Sequence, residues 1–231
     1  MAILYYVLGD YNCHFYIHTL RDKHQKKNLM KSPIEVFSDW VDLGKDVGME
    51  KNHFEPVLEM INLFKSKNEF TSIDAGCGNG WLVRYLSNYK KCKSIIGVDG
   101  SLKMIEKARS LDKNNKYFCC ELSNWNPKLK VDVVFSMEVF YYFKKPEKLI
   151  KQIHDKWIKK NGKLIMGIDH YLENEECHGW KNKINISTMK LISKNEWIKY
   201  FEESGFSKVT DYQFCAKDNW KGTLVIEGTR V

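Results

Sequence analysis

Ser72-Ile73-Asp74-Ala75-Gly76-Cys77-Gly78-Asn79-Gly80-Trp81 is the stretch on which the fold turns. A β-branched run enters a D-x-G-x-G-x-G turn, and a helical pattern leaves it. Glycines at alternate positions let the backbone bend sharply and approach a ligand with no Cβ in the way, while Asp74 sets an acceptor at the carboxyl end of the strand. Beyond the turn, Leu82, Tyr85, Leu86 and Tyr89 recur at i, i+3, i+4 and i+7, so the helix has one face to lay on a sheet. Ser94-Ile95-Ile96-Gly97-Val98 reads as a short buried strand ending in Asp99. Asp99 follows Asp74 by 25 positions, near the spacing at which an acid after the second strand of a βαβ unit bonds a ribose diol. The series strand, turn, helix, strand and acid outlines a nucleotide pocket.

Glycine spacing separates two kinds of nucleotide. A dinucleotide fingerprint reads G-x-G-x-x-G and puts its third glycine inside the helix, whereas here the glycines are Gly76, Gly78 and Gly80, which disfavours a dehydrogenase. D-A-G-C-G-N-G followed by G-V-D-G-S-x-x-M-I-E-K-A resembles the class I S-adenosylmethionine-dependent methyltransferase family. Ser136-Met137-Glu138-Val139-Phe140 and Asn161-Gly162-Lys163-Leu164 are similar to that family's later motifs, so the resemblance covers roughly residues 70 to 170. It implies S-adenosylmethionine as cofactor. It assigns to cofactor binding Asp74, Gly76, Gly78, Gly80, Asp99, Gly100, Ser101, Met104, Glu121, Leu122, Ser136 and Met137. Glu121 stands where the family usually has Asp, against the adenine. Many relatives carry Glu-His after the fourth strand, where this chain has Tyr141-Tyr142, so the imidazole base is missing from its familiar place.

At 231 residues the chain suits one compact α/β domain with an elaborated end. The strands expected after Asp99 are Lys116–Cys120, Val131–Phe135 and Lys163–Ile168, with helices from Ser101 and Pro146 between them. Ser193-Lys194-Asn195-Glu196 reads as a capping box, Gly205 as the end of its helix, and Ser207–Phe214 with Leu224–Gly228 as an edge hairpin. The expected fold is therefore α/β, a doubly wound, seven-stranded, mostly parallel sheet of the Rossmann-like methyltransferase kind with an N-terminal helical cap. Residues 1–69 are expected to form the extension and cap or lid, and residues 70–231 the catalytic core. In the cap, Ile34, Phe37, Trp40 and Val41 have helical spacing, Pro56 opens a second helix, and the polar segment 44–53 reads either as a lid or as a plain connection. Residues 1–29 lack a clear period, and Met30 is the expected natural start.

Net charge is +8, yet the lysines are scattered, so a solvated face is the expected reading and nucleic acid is not the expected partner. The seven cysteines include no C-x-x-C pair, which suits a reducing, cytoplasmic setting. No run is long enough for a membrane span, and the apolar start Met1–Leu8 lacks the flanks of a signal peptide. His14 and His18 near Cys13 lack a third ligand, so no metal is expected.

Methyl transfer from a sulfonium needs alignment and a dry pocket more than a nucleophile, and a base is needed only for an acceptor that arrives protonated. Candidates to contact the acceptor are Tyr141 and Tyr142 after the fourth strand, and Asp169, His170 and His178 in the polar stretch after the fifth. The expected activity is methylation of a small polar metabolite through nitrogen, oxygen or sulfur. The competing readings are an RNA or protein methyltransferase and a non-catalytic S-adenosylmethionine-binding protein. The sequence leaves oligomeric state open.

Overall fold

The computed structural model describes residues 30–64 and 66–231. The expectations on residues 1–29, including the upstream extension, the apolar start and the group Cys13, His14 and His18, lie outside the described residues.

Seven strands form one sheet in the order β3-β2-β1-β4-β5-β7-β6. They are β1 (Phe70–Ala75), β2 (Cys92–Asp99), β3 (Lys116–Cys119), β4 (Val131–Met137), β5 (Ile158–Ile168), β6 (Phe206–Phe214) and β7 (Thr223–Arg230). Pairings from β3 through to β5 are parallel, while β7 runs antiparallel to both β5 and β6. The sheet is thus mixed, a correction to the mostly parallel sheet expected. The reason is that the short connection between β6 and β7 can only make a hairpin, and β7 inserts between β5 and β6.

Chain reversal at β1 makes the switch point of the sheet, because β2 lies on one side of it and β4 on the other. Ligands of open α/β sheets sit outside the carboxyl ends of the strands there. The continuous apolar run of β4 is explained by burial on both faces. Val133 and Phe135 join the core of Leu82 and Leu86, while Val134 joins that of Ile153 and Trp157. Fully burying a side chain as large as Phe135 contributes roughly 1.5–3 kcal/mol.

The helices are α1 (Pro33–Asp42), α2 (Val47–Leu63), α3 (Trp81–Ser87), α4 (Leu102–Leu111), α5 (Pro146–Gln152), α6 (Trp180–Lys183) and α7 (Lys194–Glu203). Helix α1 starts with a capping box in which the Glu35 backbone N–H donates to Ser32 Oγ and the Ser32 N–H donates to Glu35 Oε2. Ser193 caps α7 by accepting from the Glu196 N–H, in the place read from the sequence.

Two elements depart from expectation. Pro56 does not open α2 but lies inside it, so the polar stretch from Val47 onward is helical. Proline in a helix interior forfeits one backbone hydrogen bond, and here burial of Pro56 with Val57, Met60 and Ile61 offsets that loss. Strand β5 begins at Ile158, earlier than expected, directly after a π-helical turn over Ile153–Trp157. Asn161, at φ 64°, accommodates the irregular start of its pairing with β4.

Candidate active site

A cavity of about 1220 Å³ opens at the carboxyl ends of the central strands and is roofed by α1 and α2. Asp74 ends β1 almost fully buried in its wall, and burial, followed by the negative Asp99, pushes its carboxyl up to about 8. Gly76 makes the turn at φ 84° with its N–H bonded to Val98 O, and Val139 lies directly against its Cα. Asp99 holds the loop by accepting the Gly78 N–H on Oδ2 at 3.0 Å and the Ser101 N–H on Oδ1 at 2.8 Å. Burial raises the Asp99 carboxyl, and those two backbone bonds oppose the rise. Ser101 caps α4 by accepting from the Met104 N–H, and its hydroxyl pairs with that of Ser38 on α1 at 2.8 Å.

Gly100, Met104, Glu121, Leu122 and Met137 line the cavity with Asp74, Gly76, Gly78 and Asp99. Three of the expected cofactor residues, Ser101, Gly80 and Ser136, stand behind this wall. Gly80 is the left-handed N-cap of α3, facing Tyr117 and Ala108, and the Ser136 hydroxyl donates to Ala75 O at 2.8 Å.

The acceptor candidates separate more widely. Tyr142 lines the cavity edge-on to Phe37 of α1, with ring centroids 5.2 Å apart. Tyr141 is fully buried beneath it and donates its hydroxyl to Glu138 Oε2 at 2.5 Å. Asp169 is buried, accepting the Thr223 hydroxyl on Oδ1 at 2.6 Å and turning Oδ2 toward His53 Nε2 at 3.7 Å. His170 is packed between Tyr141 and Trp180, and burial lowers its pKa to about 4. His178 is exposed with Nε2 against Leu172 O, away from the cavity.

Several residues of the cavity carried no local signal. Helix α2 brings His53 and Met49 into it, and Met49 covers Gly78 closely. The Asn79 amide of the glycine loop donates to Asp46 O and Oδ2 at the start of α2, at 3.1 and 3.2 Å. Glu138, at φ 60°, accepts the Asp169 N–H on Oε1, so the loops after β4 and β5 are tied together. Burial and the neighbouring Asp169 hold its carboxyl well above the usual range. His53, Glu138 and Asp169 offer atoms all within 4.8 Å of one another.

Residues 73–166 match the methyltransferase-domain family, Methyltransf_11. Residues 73–166 thus carry a methyltransferase domain. A protein of Invertebrate iridescent virus 6 described as a methyltransferase is 28% identical over 170 residues, covering 71% of this chain and 58% of the viral one. The malonyl-[acyl-carrier protein] O-methyltransferase of Halalkalibacterium halodurans is 25% identical over 153 residues, covering 62% and 55% of the two chains. The chain thus spans little more than half the length of these curated relatives. A Haloferax volcanii methyltransferase, seen in complex with the Trm112 activator, superposes with a TM-score of 0.74 at 24% identity, over 84% of this chain and 97% of that one. That likeness is one of fold.

The residues present fit the family's methyl donor. Asp99 is poised at the end of β2, the glycine turn exposes backbone to the cavity, and a buried carboxyl at Asp74 suits a cationic ligand. No helix among the described residues is long and apolar enough to cross a membrane. The described cysteines are all free thiols.

The raised Asp74 has a measurable consequence. Its carboxyl rises from an ordinary 3.8 to about 8, so between those values the folded chain keeps a proton that the unfolded chain has released. Stability of the ligand-free protein is therefore expected to fall as pH rises through that window, by at most about 1.4 kcal/mol per pH unit for this one group. Scanning calorimetry from pH 5 to pH 8 checks this: Asp74→Asn, which has no proton to lose there, should flatten the decline in Tm. A slope unchanged by the substitution would assign the dependence to other groups.

Proposed function

We propose that the protein transfers the methyl group of S-adenosylmethionine to a small polar metabolite, with α1 and α2 as the lid over both substrates. The observation that carries this is a single cavity whose wall combines two chemically distinct sets of residues. Its volume of about 1220 Å³ exceeds the roughly 300–1,000 Å³ typical of a pocket for one small ligand. One set is the glycine loop with Asp74 and Asp99, and the other is Phe37, Trp40 and Tyr142 with His53 and Glu138.

When bound, S-adenosylmethionine supplies an electrophilic methyl carbon on a sulfonium. The chain's own part is to orient and to exclude water. Met49 and Ile34 press on Gly78 and Gly100, and the Asp46 and Ser38 contacts fasten the helices to the donor half. Enclosure of this kind strengthens every polar contact within and favours a near-attack geometry.

A second reading, methylation of a carboxylate, is favoured by a separate observation. Lys144, Lys145, Lys148 and Lys183 line the same cavity and form no salt bridge among the described residues, leaving positive charge available to an anionic acceptor. The H. halodurans relative is named as an O-methyltransferase of an acyl-carrier-bound malonyl group.

Isothermal titration calorimetry with S-adenosylmethionine and S-adenosylhomocysteine tests the donor half. Saturable binding of both at one site is expected. Absence of binding by both would remove the enzyme reading and leave the fold alone.

A further inference from the structure

We propose that His53, Glu138 and Asp169 form the seat of an amine acceptor, with His53 Nε2 as the base that removes its proton. The inference rests on the methyl-transfer reading above and names the acceptor's chemical class.

The three side chains come from three separate elements, α2 and the loops after β4 and β5, and their acceptor atoms lie within 4.8 Å of one another. A nitrogen seated beside this group can reach its acceptor atoms at hydrogen-bond range, about 2.7–3.2 Å. His53 Nε2 and Asp169 Oδ2, 3.7 Å apart, are too far for a hydrogen bond to each other, and an N–H group entering between them reaches both. Phe37, Trp40 and Tyr142 line the same cavity as His53 and Glu138, and aromatic faces attract cations.

The tautomer of His53 follows from its neighbour. Nδ1 lies 3.0 Å from the Met49 carbonyl oxygen, which can only accept, so Nδ1 carries the proton and Nε2 presents a lone pair to the cavity. The ammonium R–NH3+ gives one proton to Nε2. Its freed lone pair forms the N–C bond to the sulfonium methyl as the C–S bond breaks, and that electron pair leaves on the neutral thioether. The product is R–NH2–CH3+, and the imidazolium returns its proton to water through its partly exposed edge. Asp169, whose carboxyl is raised by burial and lowered by His53, accommodates the charge that appears on the ring.

The test uses the full chain. Methyl-labelled S-adenosylmethionine is incubated with a metabolite extract, and products are sorted into base-stable cations, base-labile esters and macromolecules. The expected result is label in the base-stable cationic fraction. His53→Ala should lower that rate by about 10²- to 10⁴-fold while leaving calorimetric S-adenosylmethionine affinity unchanged, and added imidazole should restore part of the rate. His53→Gln should be as slow and gain nothing from imidazole. Independently of turnover, ¹⁵N spectra of the ligand-free protein should show neutral His53 protonated on Nδ1. Label confined to esters or macromolecules, a His53→Ala rate within threefold of wild type, an Nε2–H tautomer, or activity lost to EDTA would each overturn the proposal. Failure of the wild-type chain to bind S-adenosylmethionine would instead bring down the methyl-transfer reading itself.

Discussion

Gly76→Ala is expected to destabilise the folded chain by about 2–6 kcal/mol and to abolish measurable S-adenosylmethionine binding. Two costs add. An alanine at φ 84° sits in a left-handed conformation that L side chains rarely adopt, at about 1–3 kcal/mol. Its Cβ would also stand 2.2 Å from Val139 Cγ2 and 2.9 Å from Cγ1, so the loop or the segment after β4 must move, at a further 1–3 kcal/mol or so. Movement is damaging because the turn is tethered on both sides: the Gly76 N–H reaches Val98 O at 2.8 Å, and Val139 leads into the tyrosine pair. Urea denaturation gives the stability and calorimetry the affinity. Adding Val139→Ala should recover the steric share but not the share due to φ, so the double mutant should fall between the parents. A Gly76→Ala protein as stable as wild type would show that the turn relaxes freely and that the close approach of Val139 is incidental.

Asp99→Ala is expected to weaken S-adenosylmethionine binding by about 10²-fold or more. On ribose hydrogen bonds alone the loss would be about 1–3 kcal/mol. The structure adds a second loss, because both carboxylate oxygens already accept backbone N–H groups, from Gly78 and Ser101. Removing them leaves two buried donors unpaired at the glycine loop and at the first turn of α4, and each unsatisfied donor costs about 1–3 kcal/mol. Relief of the buried charge offsets part of this in the ligand-free chain, so stability should fall less than affinity. Asp99→Asn keeps one acceptor oxygen and should lie between Ala and wild type. Calorimetric titration of the three proteins orders them. Equal affinities would make Asp99 a plain strand-end residue.

Legibility in the sequence followed the range of each interaction. The glycine turn, the acid after β2, the Ser101 cap and the Ser193 cap are set by residues within a few positions of one another, and their chemistry shows in the string. The two-faced burial of β4 was visible as an unbroken apolar run. Helix α2 was misread because Pro56 is locally a helix start, whereas the packing of Val57, Met60 and Ile61 against the sheet carries the helix through it. That one error hid His53 and Met49, which looked like part of a polar connection. Among the acceptor candidates, nothing local distinguished Tyr142, which faces the cavity, from Tyr141, which lies beneath it, or Asp169 from the exposed His178.

By itself, the sequence pointed to a methyltransferase-like α/β fold, the glycine turn with its flanking acids and the succession of most strands, since hydrophobic period, glycine and capping are short-range physics. Only the tertiary structure decided how His53, Glu138 and Asp169 are brought together. Asp169 is oriented by Thr223, 54 positions away, and Glu138 spans 31 positions to bond the Asp169 N–H. His53 arrives from a helix that precedes the first strand. Contacts of that kind exist only after the sheet has formed and α2 has packed against it, so no local pattern of residues encodes them.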